Sequence, residues 1–121
     1  MTRLKVVYVA GPFRASDAWD LQRNIRRALD VSFKVASLGM IPLCPHSMYE
    51  HFDRTLTEEF WLEATQELLR RCDYMVVVGH WLPSAGTSGE RKLAESLGIP
   101  VFETFEKMQE HLDQLERNSE L

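Results

Sequence analysis

The run Ser84-Ala85-Gly86-Thr87-Ser88-Gly89-Glu90 combines two glycines, three hydroxyl side chains and a carboxylate. Ahead of a helix, such a run offers unpaired backbone N–H groups and the positive end of the helix dipole, which suit a phosphate or carboxylate. Its small side chains let an anion approach the backbone closely. No Gly-Lys-Ser/Thr follows, so this is not a Walker loop. The alternative reading is an ordinary capping turn with Glu90 as a first-turn acid. A carboxylate at a helix start is expected to stay ionised, which suits a nucleophile or electrostatic stabiliser better than a general acid.

Other residues could join it. Arg14 follows Gly11-Pro12-Phe13 directly after an apolar run and could pair with phosphate bidentately. Tyr8 lies inside that run, where its phenol could fix the Glu90 carboxylate; the plainer alternative is a core aromatic with some polar partner. His46 and His51 share a polar, aromatic loop. Their spacing is a weak metal signal with no obvious third ligand, so the expectation is no metal and a contact with a planar ring instead. Trp19, Trp61 and Trp81 read as core or rim aromatics.

Periodicity supplies the elements that must hold these groups. Leu4–Ala10 reads as a buried parallel strand ending at Gly11-Pro12. Ser16 or Asp17 would cap a long helix with Leu21, Ile25, Leu29, Ser32 and Ala36 on one stripe, Ala28 and Val35 beside it, and Gly39 at its end. Met40–Leu43 is a second strand. After a loop over 44–55, Thr55 and Glu58 fit a capping box for a helix to Arg71, with Phe60, Ala64 and Leu68 on one face. Tyr74–Gly79 is a third strand and 80–88 a loop. A helix from Gly89 to Leu97 is stopped by Gly98 and Pro100, Val101–Glu103 is a fourth strand, and Phe105, Met108, Leu112 and Leu115 stripe a last helix. That stripe is core or a dimer face. The alternation predicts an α/β fold, a doubly wound parallel sheet (Rossmann-like or flavodoxin-like) of four to five strands with order beginning 2-1-3-4. Ligands in such sheets bind beyond strands one and three, where the winding reverses. Gly11–Arg14 and the loop reaching Glu90 both fall there.

Composition bounds the function. The 121 residues carry 14 Lys+Arg against 18 Asp+Glu, a net charge of −4 with no basic run, which argues against a polymeric nucleic acid partner. Hydrophobic residues reach 45% and charged residues 26%, so one domain over 1–121 with a real core is expected. Cys44 and Cys72 read as reduced, buried thiols in a cytoplasmic protein. No leader-like or membrane-spanning stretch is visible.

The motifs resemble a family. Tyr8-Val9-Ala10-Gly11-Pro12-Phe13-Arg14 resembles the opening of 2′-deoxynucleoside 5′-phosphate N-hydrolases and of a related cytidine monophosphate N-glycosidase. Cys72-Asp73-Tyr74 and Ser84-x-Gly86-x-x-x-Glu90, then Ala94, Gly98 and Pro100, are similar to motifs of the nucleoside 2-deoxyribosyltransferase superfamily. The resemblance implies that Glu90 is the nucleophile at the anomeric carbon and that Tyr8 orients it. It further implies that Gly11, Arg14, Ser84 and Gly86 hold a 5′-phosphate; Pro12, Phe13, Ser88 and His46 are further candidates for binding the substrate or its phosphate. Ser84 stands where transferases carry an acid, which favours a phosphate-bearing ligand. One departure concerns the acid that assists the leaving base: the family's aspartate position holds Thr65 here, and the flanking Glu63 and Glu67 would point elsewhere on a helix. His46 could supply that assistance. Relatives also complete the pocket across a dimer.

The expected function is therefore N-glycosidic cleavage or transfer on a nucleoside or deoxynucleoside 5′-monophosphate, without a cofactor, in a homodimer or higher homo-oligomer. The rival is a non-catalytic nucleotide-binding module of the same fold. A flavodoxin-like flavin carrier is a third reading. A response regulator is excluded, because Val78-Gly79-His80 lacks an acceptor aspartate.

Overall fold

The computed structural model describes residues 3–11, 18–45, 57–78 and 85–119. Among them lie four strands and four helices: β1 (Val6–Ala10), α1 (Ala18–Ser37), β2 (Ile41–Leu43), α2 (Glu58–Arg70), β3 (Tyr74–Val77), α3 (Ala85–Ser96), β4 (Val101–Phe102) and α4 (Phe105–Ser119). The strands form one parallel sheet in the order β2-β1-β3-β4, the order expected from the alternation of elements.

Alternation along the two central strands divides the core. Val7 and Val9 of β1 share one face with Val76 and Val78, packed under Ala28 and Val35 of α1 and Met108 of α4. Tyr8 and Ala10 share the other with Met75 and Val77, under Leu69 of α2 and Ala94 of α3. Successive side chains of a strand point to opposite faces, so an all-apolar strand can be buried on both.

Several boundaries and one stripe differ from the sequence reading. In α1, Ile25, Ala28, Ser32 and Val35 are buried, whereas Leu29 and Ala36 are exposed. The buried arc is thus rotated toward the smaller residues, because a helix close to a sheet needs small side chains where the backbones approach. Ser32 tolerates burial because its hydroxyl donates to the Ala28 carbonyl at 2.7 Å. Phe60 is exposed rather than core-facing; Leu69 takes the fully buried place in α2. Thr57, not Thr55, caps α2, its hydroxyl accepting from the Phe60 amide at 3.2 Å. The Ser16 or Asp17 cap, Thr55 and the loop residues at 46–55 lie outside the described residues.

Two glycines end helices as expected. Gly39 (φ 84°) and Gly98 (φ 73°) adopt the left-handed conformation that side chains disfavour. At each, the next residue's amide reaches back to form the long closing bond, Met40 N to Val35 O at 3.4 Å and Ile99 N to Ala94 O at 2.9 Å. Each cap turns the chain straight into the following strand.

The amino end of the central pair is tied by Asp73. Its carboxylate accepts from the Val6 amide at 2.8 Å and from both terminal nitrogens of Arg3, while its own amide donates to the Val6 carbonyl at 2.8 Å. Burial opposes ionisation of Asp73, but the Val6 amide and the Arg3 guanidinium outweigh it and hold the carboxyl below the usual range. A depressed folded-state value contributes stability that is present above the unfolded value of about 3.9 and lost as pH falls through the folded one. Asp73→Ala is expected to cost about 1–3 kcal/mol at neutral pH in urea unfolding. It should also flatten the acid limb of the stability profile; an unchanged acid limb would count against this clasp.

Candidate functional site

Tyr8 is fully buried in the middle of β1, paired in register with Leu43 on one side and Met75 on the other. Its phenol donates to Glu90 Oε1 of α3 at 2.9 Å, so the structure brings together the two residues to which the resemblance assigns catalysis. Strand β1 supplies the rigid mount, and α3 supplies the carboxylate from the face it packs on the sheet with Ala94. Burial raises the Tyr8 phenol far above the ordinary tyrosine value, and the Glu90 charge and hydrogen bond push it further the same way. Tyr8 is thus held as a neutral donor at neutral pH.

Thr65 of α2 is the third member. Its hydroxyl donates to the Leu62 carbonyl at 2.9 Å, and it lies near enough to the Tyr8 phenol to oppose, slightly, the rise that burial imposes on it. The position is half-buried, on the same side of α2 as Leu68 and Leu69. Glu63 and Glu67 are exposed, and Glu67 pairs with Arg70 and Arg71 at 3.1 Å each, directed away from the phenol as helical spacing requires. Cys72 belongs to the same buried cluster as Tyr8. Burial, and then the charge of Asp73, pushes its thiol up to about 11, so it stays protonated and is a poor rival nucleophile at neutral pH.

The helix carrying Glu90 starts earlier than expected. It begins at Ala85 and not Gly89, so Gly86 and Ser88 lie within its backbone and Glu90 is in the second turn. The small residues of 85–89 form helix where they were read as loop, and Glu90 is no first-turn acid. What the earlier start preserves is the placement of the Gly86 to Ser88 amides at the amino end of α3, where backbone N–H groups have no helical acceptor. Gly11 is half-buried directly after β1, whose ladder continues through Val78 N to Ala10 O at 2.7 Å. Pro12, Phe13, Arg14, His46 and Ser84 lie outside the described residues. The signal for Thr65 was its place in α2, and the packing of Leu69 from that helix with Tyr8 brings it near the phenol.

Among the described residues, no group of His, Cys, Asp and Glu could hold a metal, and no helix is long and apolar enough to cross a membrane.

The sequence model of a family described as "Domain of unknown function (DUF7768)" matches residues 5–104. No curated protein matches the chain. Among solved structures, the 2-deoxyribosyltransferase from the psychrotolerant bacterium Bacillus psychrosaccharolyticus is 21% identical, with a TM-score of 0.59 over 79% of this chain and 69% of that one. The doubly wound fold that the motifs implied is thereby shared with a solved deoxyribosyltransferase.

A raised phenol contributes stability that is complete below the unfolded tyrosine value of about 10 and declines as pH rises above it. Tyr8→Phe is expected to lose about 1–2 kcal/mol near neutrality in urea unfolding, from the missing buried hydrogen bond. Its deficit should shrink in the alkaline range. The ultraviolet tyrosinate signal of the folded protein should be the same with and without Tyr8; a smaller signal in Tyr8→Phe would mean that Tyr8 titrates.

Proposed function

The chain belongs to the DUF7768 family, and on that footing we propose that it cleaves or transfers the N-glycosidic bond of a nucleoside or deoxynucleoside 5′-monophosphate. The observation that carries this reading is the 2.9 Å hydrogen bond from the buried Tyr8 phenol to Glu90. A neutral donor on one carboxylate oxygen holds the rotamer of the group that must reach the anomeric carbon.

In the proposed reaction a Glu90 oxygen attacks the anomeric carbon as the bond to the base breaks through an oxocarbenium-like transition state. The base leaves with the bonding pair and takes up a proton, for which His46 is the assigned donor. The resulting glycosyl ester is then attacked by water, or by a second base, which restores the carboxylate. Tyr8 keeps its proton throughout. Gly11, Arg14, Ser84 and Gly86 hold the 5′-phosphate, Pro12, Phe13 and Ser88 line the substrate around it, and the fold shared with a solved 2-deoxyribosyltransferase supports a nucleoside-sized ligand. No cofactor enters these steps.

A second reading rests on Thr65, which places a hydroxyl and no carboxylate beside Tyr8. It keeps nucleotide binding and removes turnover.

The proposal extends to assembly, in that a second copy closes the pocket. Its support is an exposed row on α1, where Trp19 (71%), Leu29 (42%) and Phe33 (74%) face solvent.

Incubation with a panel of ribo- and deoxyribonucleoside 5′-monophosphates is expected to release free base from at least one. Glu90→Gln should lower that rate by roughly a thousandfold or more. Ligand-dependent thermal stabilisation without base release, retained in Glu90→Gln, would establish the binding module instead. Sedimentation velocity should show a species larger than the 14.0 kDa chain, shifted toward monomer by Phe33→Glu.

A further inference from the structure

Helix α1 carries two stripes, and the sheet uses one of them. Ile25, Ala28, Ser32 and Val35 are buried, stepping along the helix by three, four and three residues. On the solvent side a second set steps by three and four without a break. It comprises Trp19, Gln22, Arg26, Leu29, Phe33 and Ala36, all exposed. That alternation is the spacing by which one helix seats against another, and here it runs for about 26 Å of helix.

The second stripe has both a hole and a knob. Among the described residues, Trp19, Gln22, Arg23 and Arg26 line a groove of about 280 Å³. They stand at i, i+3, i+4 and i+7, and four residues at that spacing form the hole that receives one side chain of a facing helix. Phe33, on the same stripe, is the most exposed of the large apolar side chains described.

We propose that α1 pairs antiparallel with α1 of a second copy of this chain, across a twofold axis between residues 27 and 28. In that register Phe33 of each copy enters the groove of the other, opposite Gln22. Trp19 faces Ala36 and Arg26 faces Leu29, so each large apolar side chain meets a small or flexible one. The twofold makes every contact twice. Charge selects the same direction. Asp30 of one copy falls at a height between Arg23 and Arg26 of the other, one carboxylate against two guanidiniums, while Asp20 steadies Arg23 at 2.7 Å within its own helix. A parallel pair would instead set Arg26 against Arg26 and Asp30 against Asp30, which like charges oppose. The stripe is thus its own complement.

This deepens the assembly part of the proposed function. The pairing stands on α1 alone, and only the closing of the pocket by the second copy rests on that reading.

Sedimentation velocity of the full chain should show a species near twice the 14.0 kDa of one copy. A monomer at every concentration overturns the pairing. Asp30→Arg should raise the dissociation constant about tenfold, through lost attraction and new repulsion. A dimer that neither Asp30→Arg nor Phe33→Glu weakens uses another face; it overturns the pairing and leaves closure by a second copy standing. Cross-linking reads the direction. The twofold sets the two copies of residue 29 about 4.5 Å apart along the helix axis, and those of residue 36 about 26 Å apart. With a short thiol cross-linker, Leu29→Cys should therefore join to itself and Ala36→Cys should not; Cys44 and Cys72 are buried and held from the reagent. Self-linking of Ala36→Cys, or none in Leu29→Cys, overturns the antiparallel pair. Should Leu29→Cys fail to fold, Arg26→Cys gives the same reading. Base release at an unchanged rate by a monomeric Phe33→Glu chain would support the pairing and overturn pocket closure alone.

Discussion

A phenol buried at the centre of a parallel sheet must find its hydrogen-bond partners inside the protein, and the arrangement of the α2–α3 face follows from that requirement. Tyr8 is fixed by two ladders, one to β2 and one to β3, and it cannot move to meet a partner. The helices must therefore come to it. Glu90 arrives from α3 to accept the phenol proton while α2 closes over the ring, and each helix is seated by one small or aliphatic anchor, Ala94 and Leu69. An unmet buried hydroxyl costs about 1–3 kcal/mol, a sizeable share of the stability of a domain this small. Polar satisfaction and site geometry are the same constraint here.

The opposite face rests mainly on apolar packing. Valines of β1 and β3 meet α1 and α4, and the last helix adds Met108, with the Tyr74, Phe102 and His111 rings clustered at its flank in tilted and edge-on contacts. Lys34 of α1 lies over the Phe105 ring at 5.7 Å, joining the two helices on that side. The two faces thus carry different duties, one supporting the sheet and the other presenting polar groups.

What could be read from residues alone was whatever depends on local stereochemistry. β-branched runs marked β1 and β3, glycines marked the ends of α1 and α3, and alternating elements implied the strand order. The rest depended on distant surfaces. Leu29 looked like core because its spacing fits a helix stripe, yet the sheet selects Ala28, Ser32 and Val35, which let α1 approach closely. Gly86 and Gly89 made 85–89 look like loop, whereas the α3 backbone runs as helix from Ala85 through both of them. The reach from Tyr8 to Glu90 was legible because strand order puts β1 beside β3. That Thr65 lies near the phenol depends on how α2 seats Leu69 in the cluster around Tyr8, which no single-element pattern encodes.

The borders of the sheet carry a final consequence. Among the described residues β2 and β4 flank the central pair, and they are three and two residues long. The Ile41 amide bonds inward to Lys5 at 2.8 Å, so alternation turns the backbone nitrogen of the next residue outward, and that residue is Pro42. The one mid-strand donor that would face a newcomer is therefore missing on one border, and the other border is too short to seat one. A fibril-forming strand from another chain finds no template along either side. A molecule whose central strands are almost wholly apolar is thus shielded from amyloid-like growth by one imino acid and by brevity, without spending charged residues on the task.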